Sequence, residues 1–158
     1  MPLIEFTDKG LYCPEGDFYI DPWRPVDRAV ITHGHSDHAR WGSKFYLTHH
    51  DTIPILQQRL GPNHYQGVSW NEPIYLNGVR ITLFPAGHII GSSQIRVDHN
   101  GEIWVVSGDY KLENDGLSGQ FEPVKCHNFI TESTFGLPIY NWKKFMLPCK
   151  NGFVKIKQ

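Results

Sequence analysis

The chain has 158 residues and a formal net charge of −1, and 40% of its residues are hydrophobic. This length and apolar content predict one domain with a sizeable core, and the near balance of charge excludes a strongly basic surface as a sign of nucleic-acid binding. The three cysteines have no paired spacing, and no apolar run is long enough for a transmembrane helix. We therefore expect a cytoplasmic protein without disulfides.

Short strands separated by turns dominate the predicted secondary structure. The predicted strands are apolar runs bounded by turn residues, at 18–20, 28–32, 44–47, 74–76, 79–84, 94–97, 102–106 and 129–131. Asn77-Gly78 is a typical hairpin turn, and residues 99–101 form a second one. Thr48 is the candidate cap of a helix over residues 51–60, which ends at Gly61.

The most informative segment is the hexapeptide His33–His38, which directly follows the strand predicted at 28–32. It contains four candidate metal ligands, namely His33, His35, Asp37 and His38. Imidazole nitrogen and carboxylate oxygen are the ligands of reactive zinc and manganese sites. Four such groups in six residues need a reason, so this spacing strongly favours metal binding over a structural role.

Two later strands also end in a candidate ligand. His88 follows Gly87 after the strand at 79–84, and Asp109 follows Gly108 after the strand at 102–106. An ordinary turn histidine and a turn-capping aspartate are the alternative interpretations. If the strands end on one rim, six ligands meet there, which favours two metal ions about 3.5–4 Å apart with Asp109 shared between them.

The motifs His-x-His-x-Asp-His, Gly-His and Gly-Asp resemble those of the metallo-β-lactamase fold, an αββα sandwich of the α/β (α+β) class. The resemblance implies two divalent metal ions, Zn or Mn. His33, His35 and His88 would hold one ion, and Asp37 and His38 the other. Asp21 would support the ligand loop by hydrogen bonding, although Asp21-Pro22 is also a common turn signal.

Residues 131–136, Thr-Glu-Ser-Thr-Phe-Gly, resemble the acidic motif of the β-CASP nuclease branch. Within that branch, the motifs are most similar to those of the bacterial ligase-associated DNA exonucleases. This resemblance implies a DNA exonuclease acting in DNA repair, with a DNA ligase and a helicase as partners, and with Asp37, Asp109 and Glu132 as catalytic residues. A helix cap or a solvated carboxylate is the alternative for Glu132.

Three other functions stay open at this point. A hydrolase of small esters or thioesters shares the metal ligands but normally lacks the Glu132 motif. An RNA-processing β-CASP nuclease shares both features. A non-catalytic remnant that binds one metal ion through His33, His35 and His88 is the third.

The composition changes near the end of the sequence. Residues 1–142 hold 10 Lys and Arg against 16 Asp and Glu, whereas five of the nine lysines lie in residues 143–158. We expect residues 1–142 to be the N-terminal part of a metallo-β-lactamase-like domain, followed by a Lys-rich tail from a frameshift or truncation. The resemblance implies further histidines after Glu132, so the second metal site is expected to be incomplete, one sheet face to lack its partner, and the chain to fold poorly and be at most weakly nucleolytic.

The remaining histidines have no resemblance to a motif. His49 and His50 follow a predicted strand and are expected at the surface or beside the ligands. His127, at the start of the last predicted strand, is expected to have a structural role.

Overall fold

A computed structural model describes residues 2–133, and the tail at 143–158 and the domain boundary at residue 142 lie outside them. The described residues form a first group of strands, β1 (Glu5–Thr7), β2 (Gly10–Cys13), β3 (Phe18–Ile20), β4 (Arg28–Val30), β5 (Phe45–His49) and β6 (His64–Val68). The second group is β7 (Pro73–Leu76), β8 (Val79–Pro85), β9 (Ser93–His99), β10 (Glu102–Val106) and β11 (Asn128–Ile130). A 3₁₀ turn, His50–Thr52, leads into helix α1 (Ile53–Leu60).

The strands form two sheets. The six-stranded sheet has the order β1-β2-β3-β4-β5-β6, and the five-stranded sheet has the order β11-β10-β9-β8-β7. Strands β3 to β6 run parallel to one another, as do β10 and β11. The carboxyl ends of parallel strands therefore lie on the same rim of each sheet. The predicted mixed α/β fold with packed sheets is confirmed.

The main core lies between the two sheets. Ile20 and Val30 of the six-stranded sheet belong to the same buried cluster as Ile81, Leu83 and Ile95 of the five-stranded sheet. Each sheet therefore covers the apolar inner face of the other, and the expectation that one face lacks its partner is wrong for residues 2–133. Apolar inner faces of this kind supply most of the stability of a sandwich.

Helix α1 packs on the outer face of the six-stranded sheet. Leu56 is fully buried there and belongs to a second apolar cluster with Ile31 and Tyr46. Pro54 lies in the first turn of the helix, and Gly61 follows its end with a φ of 77°. These signals place the helix where the sequence predicts it, except that its first residues form the 3₁₀ turn.

An apolar cleft remains between strands β1–β3 and strands β10 and β11. Its volume is about 590 Å³, and Asp21 and Glu132 are among its lining residues. Phe6 and Trp23 line the same cleft and are mainly exposed. Exposed apolar surface is thus present, as the sequence predicts, but at this opening rather than across a sheet face.

Both predicted hairpin turns are confirmed. Asn77-Gly78 joins β7 to β8 with φ values of 48° and 83°, and Asn100-Gly101 joins β9 to β10 with φ values of 49° and 81°. Two successive positive φ angles are characteristic of type I′ turns, whose twist matches that of antiparallel strands.

Other local predictions were incomplete or wrong. Strands β1, β2 and β6 were not predicted; β6 has the sequence His-Tyr-Gln-Gly-Val, which is too polar to read as a strand, and it forms because it pairs with β5. Thr48 does not cap a helix, since its hydroxyl donates to the carbonyl of Ile31 at 3.0 Å. Among residues 2–133, no helix has the length and apolar character needed to cross a membrane.

Candidate metal centre

The candidate ligands follow strand ends on one rim of the sandwich. Asp21 follows β3, and the His33–His38 segment follows β4, with only Ile31 and Thr32 between. His88 follows β8, and Asp109 follows β10. Because β3 and β4 are parallel neighbours, their carboxyl ends place Asp21 directly beside the histidine loop.

Four side chains converge in a first ligand group. His33 Nε2 lies 3.0 Å from His35 Nδ1, and His88 Nε2 lies 3.2 Å from the same His35 atom. Asp109 Oδ2 lies 3.8 Å from His33 Nε2 and 3.4 Å from His88 Nε2. One ligand atom from each of these residues lies within 4.8 Å of the others.

This donor set fits a divalent metal ion. Zinc binds imidazole nitrogen at about 2.0–2.1 Å in a tetrahedron, which separates neighbouring nitrogens by about 3.3 Å. The nitrogen–nitrogen distances of 3.0 and 3.2 Å are close to that spacing. Several ring nitrogens facing one point without a cation or proton between them would repel one another, so their convergence itself favours a shared cation.

Burial keeps two of these rings neutral. Desolvation, followed by the nearby histidines, lowers the pKa of His33 to about 2. Desolvation also lowers the pKa of His88 below its usual range. Neutral rings at physiological pH offer the lone pairs that metal ligation requires.

A second ligand group lies on the other side of Asp109. His38 Nε2 is 3.6 Å from Asp37 Oδ2 and 3.6 Å from Asp109 Oδ1. Asp109 therefore points one carboxylate oxygen toward each group. The structure brings the six candidate ligands to one rim: His33, His35, His88 and Asp109 converge closely, and Asp37 and His38 lie on the other side of Asp109.

Asp21 supports both groups through hydrogen bonds. One of its oxygens accepts from the Thr32 amide at 2.8 Å, and the other accepts from the Thr32 hydroxyl at 2.6 Å and contacts His38 Nδ1 at 2.8 Å. The Thr32 hydroxyl in turn lies 3.0 Å from His33 Nδ1. Protons on the two Nδ1 atoms would leave both Nε2 atoms free as ligands, so Asp21 sets the tautomer and orientation of His33 and His38.

The same carboxylate changes the charge of His38. Burial alone would lower the pKa of His38, but the hydrogen bond and charge of Asp21, with smaller effects of Asp109 and Asp37, raise it to about 9. In the metal-free protein, His38 is therefore a buried cation paired with Asp21. A metal ion that binds at His38 Nε2 must displace this proton.

Thr32 is a functional residue that the sequence interpretation missed. Besides its contacts with Asp21 and His33, its carbonyl accepts from the Ser93 amide at 2.8 Å. A Cβ on Gly108 would lie 2.7 Å from the Thr32 side chain, so the strand end that leads to Asp109 packs directly against it. Its position immediately before the first ligand histidine was the available signal, but a threonine at a strand end is too common to single out.

Helix α1 fixes the ligand loop from the outer side. Arg59 donates a hydrogen bond to the carbonyl of Gly34, between the first two ligand histidines. A Cβ at Gly34 would lie 2.7 Å from Ile55 Cγ2, so the helix approaches the loop as closely as a glycine permits. The φ of Gly34 is not positive, so its backbone conformation does not require a glycine. Packing against Ile55 is therefore the reason for a glycine in the His-Gly-His motif.

We expect Gly34→Ala to lower the free energy of unfolding by about 1–3 kcal/mol, because overpacking forces α1 away from the loop. Metal affinity should fall with it, since His33 and His35 flank the substituted residue. Thermal unfolding and metal titration measure the two effects. In an Ile55→Ala background, which makes room for the new methyl group, the same substitution should cost much less; an equal cost in both backgrounds would contradict this explanation.

Glu132 lies on the same rim, two residues after β11. Strand β11 runs parallel to β10 with Ile130 opposite Val106, so Glu132 emerges beside Gly108 and close to Asp109. It remains accessible to solvent, and it lines the apolar cleft together with Asp21. The rest of its motif, residues 134–136, lies outside the described residues.

Two further histidines have clear structural settings. His49 is buried rather than at the surface, and its ring stacks on Trp70 with centroids 4.1 Å apart and an interplanar angle of 19°. His127 Nδ1 accepts a hydrogen bond from the Ile103 amide at 3.0 Å, which agrees with the structural role predicted for it.

Comparison with curated proteins shows similarity to a probable DNA ligase, an endoribonuclease and a cleavage and polyadenylation factor. The probable DNA ligase of Opitutus terrae is 30% identical over 144 residues, which cover 89% of this chain and 14% of that protein. The endoribonuclease YSH1 of Mycosarcoma maydis is 26% identical over 85% of this chain and 21% of its own length. The cleavage and polyadenylation specificity factor subunit 3 of Dictyostelium discoideum is 28% identical over 46% of this chain and 10% of its own length. The chain thus spans between 10% and 21% of the length of these relatives.

Comparison with solved structures shows the fold. A variant of the CmlA β-hydroxylase superposes with a TM-score of 0.50 and 15% identity, covering 71% of this chain and 31% of that one. A metallo-β-lactamase variant of Cronobacter sakazakii gives a TM-score of 0.46 at 14% identity, over 55% of this chain and 42% of that one. No protein-family model matches the sequence.

Proposed function

We propose that this chain, which has the metallo-β-lactamase fold and motifs that resemble those of the β-CASP branch, is a metal-dependent phosphodiester hydrolase whose substrate is nucleic acid. The observation that carries the proposal is the convergence of six ligands on one rim in two groups, with Asp109 between them. Similarity to a probable DNA ligase and to endoribonucleases favours a nucleic acid over a small ester or thioester.

In this proposal, His33, His35 and His88 would hold one ion, Asp37 and His38 would hold the other, and Asp109 would contribute to both sites. Divalent ions held there would activate water for attack and neutralise charge on a phosphodiester. A ligand set of imidazole nitrogen and carboxylate oxygen is compatible with Zn or Mn.

The protein's own residues supply the orientation of this centre. Asp21 and Thr32 keep the Nδ1 atoms of His33 and His38 occupied, which directs both Nε2 atoms toward the ions. Asp37 is mostly exposed, with 71% of its side-chain surface accessible, so an ion held there would be open to solvent and to substrate. Glu132, beside Asp109 at the rim, is the third proposed catalytic residue; by family resemblance it would orient the histidine that assists the leaving group.

DNA is the proposed substrate, and exonucleolytic trimming in DNA repair the proposed process. The O. terrae relative is named a probable DNA ligase, and 14% of its length is similar to this chain. This similarity favours a role beside ligation, with a DNA ligase, and a helicase by family resemblance, as partners in the cytoplasm. RNA is the second candidate, because YSH1 is an endoribonuclease and its similarity also extends over most of this chain.

The proposal is tested with the purified full chain, end-labelled DNA and RNA of matched sequence, and Mn²⁺ or Zn²⁺. We expect metal-dependent shortening of DNA from one end, faster than that of RNA, and loss of this activity in Asp37→Ala. Faster endonucleolytic cleavage of RNA would favour the second candidate. Metal binding with no hydrolysis of either polymer would instead support a non-catalytic, metal-binding protein.

The two ligand groups should differ in how metal binding depends on pH. Since the pKa of His33 is about 2, this ring has no proton to displace at neutral pH. His38, with a pKa of about 9, must release one, so binding at the second group should tighten about tenfold per pH unit until the pH reaches that value. Mn²⁺ titrations of the full chain at several pH values, followed by electron paramagnetic resonance, measure this. Two ions bound with the same pH dependence would contradict the assignment.

A further inference from the structure

The loop that carries His88 is closed by one buried serine. Ser92 Oγ accepts hydrogen bonds from the backbone amides of His88 at 2.9 Å and Ile89 at 3.2 Å. The Ser92 backbone also accepts from the Ala86 amide at 3.0 Å and donates to the Ile89 carbonyl at 2.9 Å. Ser92 is 1% exposed, so water does not readily replace these bonds.

The loop needs such restraint because its backbone is permissive. Gly87 directly precedes His88, and Gly91 directly precedes Ser92; each of these glycines has a φ of 75°. Glycines reach this conformation easily, but they also allow many others when the loop is not held. The position of the His88 ring therefore depends on the bonds that close the loop.

A second set of contacts holds the far side of the loop. Trp70 Nε1 donates to Ser93 Oγ at 3.0 Å, and Ser93 Oγ donates to the Gly91 carbonyl at 3.0 Å. Thr52 Oγ1 donates to the same carbonyl at 3.1 Å. The Trp70 ring is itself fixed by stacking on the buried His49. An unbroken series of contacts thus links the end of β5 to the loop.

We propose that Ser92 is a positioning residue for His88, and that Trp70 acts through Ser93 to keep the same loop in its metal-binding conformation. This inference rests on the proposed metal centre. Ser92 hydrogen-bonds to the backbone amides of His88 and Ile89 rather than to a ligand ring. It therefore fixes the backbone that carries the His88 side chain. Partners outside the coordination sphere commonly change metal affinity by about 10- to 100-fold.

The test uses the full chain with Co²⁺, whose visible absorption reports the geometry of its ligands. Ser92→Ala should weaken Co²⁺ binding by about 10- to 100-fold and change the spectrum, whereas Ser92→Thr, which keeps the hydroxyl, should restore much of both. Ser43→Ala is the matched control, since Ser43 is also a buried serine whose Oγ accepts from a backbone amide, that of Val26 at 3.2 Å. It should change thermal stability without changing the spectrum.

The role of Trp70 is tested in the same way. Trp70→Phe keeps an aromatic ring against His49 but removes the indole donor, and should weaken Co²⁺ binding by about tenfold. Trp104→Phe is its control, because Trp104 Nε1 also donates to a side chain, that of Glu102 at 2.7 Å, within strand β10 and away from the His88 loop. Combined with Ser93→Ala, Trp70→Phe should add little further loss, since both substitutions break one series of contacts.

The outcomes separate this proposal from the one it rests on. Failure of the unsubstituted chain to bind any divalent ion would overturn the metal centre and the positioning role together. Normal binding by the unsubstituted chain, with native affinity and spectrum in Ser92→Ala, would overturn the positioning role alone. A loss in Ser92→Ala that Ser43→Ala reproduces would also overturn it, since general destabilisation would then explain the effect.

Discussion

Asp109→Asn is expected to disrupt metal binding at both ligand groups, a larger effect than any other single substitution in this protein. One oxygen of Asp109 lies 3.4 Å from His88 Nε2, and the other lies 3.6 Å from His38 Nε2. Asparagine keeps the shape but removes the negative charge and leaves only one oxygen. Metal affinity should therefore fall by more than the roughly 100-fold upper range for loss of an outer partner, and hydrolysis should disappear with it.

Asp8→Asn is the control for this change. Asp8 carries the same charge in an exposed pair with Arg24 on the β1–β2 side of the molecule. Exposed pairs of this kind contribute little, so metal content by elemental analysis should match that of the native protein. If Asp109→Asn retained two ions with native affinity, Asp109 would not be the shared ligand.

The sequence predicted where the candidate ligands lie, because each follows a recognisable strand or turn signal. The apolar run before His33 and the glycines before His88 and Asp109 are local features, and local features determine where a strand ends. Their convergence in space required the two sheets to pack as they do. That packing was underestimated: the buried contacts of Ile20 and Val30 with the five-stranded sheet show that residues 2–133 already contain a two-sheet core.

Unlike Asp21, the supporting residues Thr32 and Ser92 could not be predicted, because their roles depend on contacts between distant segments. Ser92 and Thr32 are 60 residues apart in numbering yet belong to the same rim, where the Ser93 amide bonds the Thr32 carbonyl. Strand β6 forms for a similar reason, since its polar sequence is stabilised by β5 rather than by its own propensity. His49 was expected at the surface or beside the ligands, but it is buried against Trp70.

Asp21→Asn should destabilise the metal-free protein and change how its stability depends on pH. Asp21 contacts the buried His38 ring at 2.8 Å, and both side chains are at least 85% shielded, with exposures of 13% and 7%. Removing one partner of a buried pair costs about 3–5 kcal/mol. Asparagine is the appropriate replacement because Asp21 has a φ of 44°, which asparagine tolerates better than alanine.

The sign of the pH effect follows from His38. Its pKa rises from 6.5 in the unfolded chain to about 9 in the folded protein, so its stabilising contribution is complete below pH 6.5 and is lost as the pH rises through about 9. The shift corresponds to roughly 3 kcal/mol. Without the Asp21 charge, most of this pH dependence should vanish, because the folded and unfolded pKa values of His38 then lie closer together.

Chemical denaturation with a chelator present, from mildly acidic to alkaline pH, measures both effects. Asp17→Asn is the matched control: Asp17 also has a positive φ, of 51°, and it pairs with Arg28, but it is exposed. Subtracting its curve removes the titration of groups common to both variants. An unchanged pH dependence in Asp21→Asn would show that Asp21 does not hold the His38 proton. It would also contradict the proposal that Asp21 orients the His33 and His38 rings.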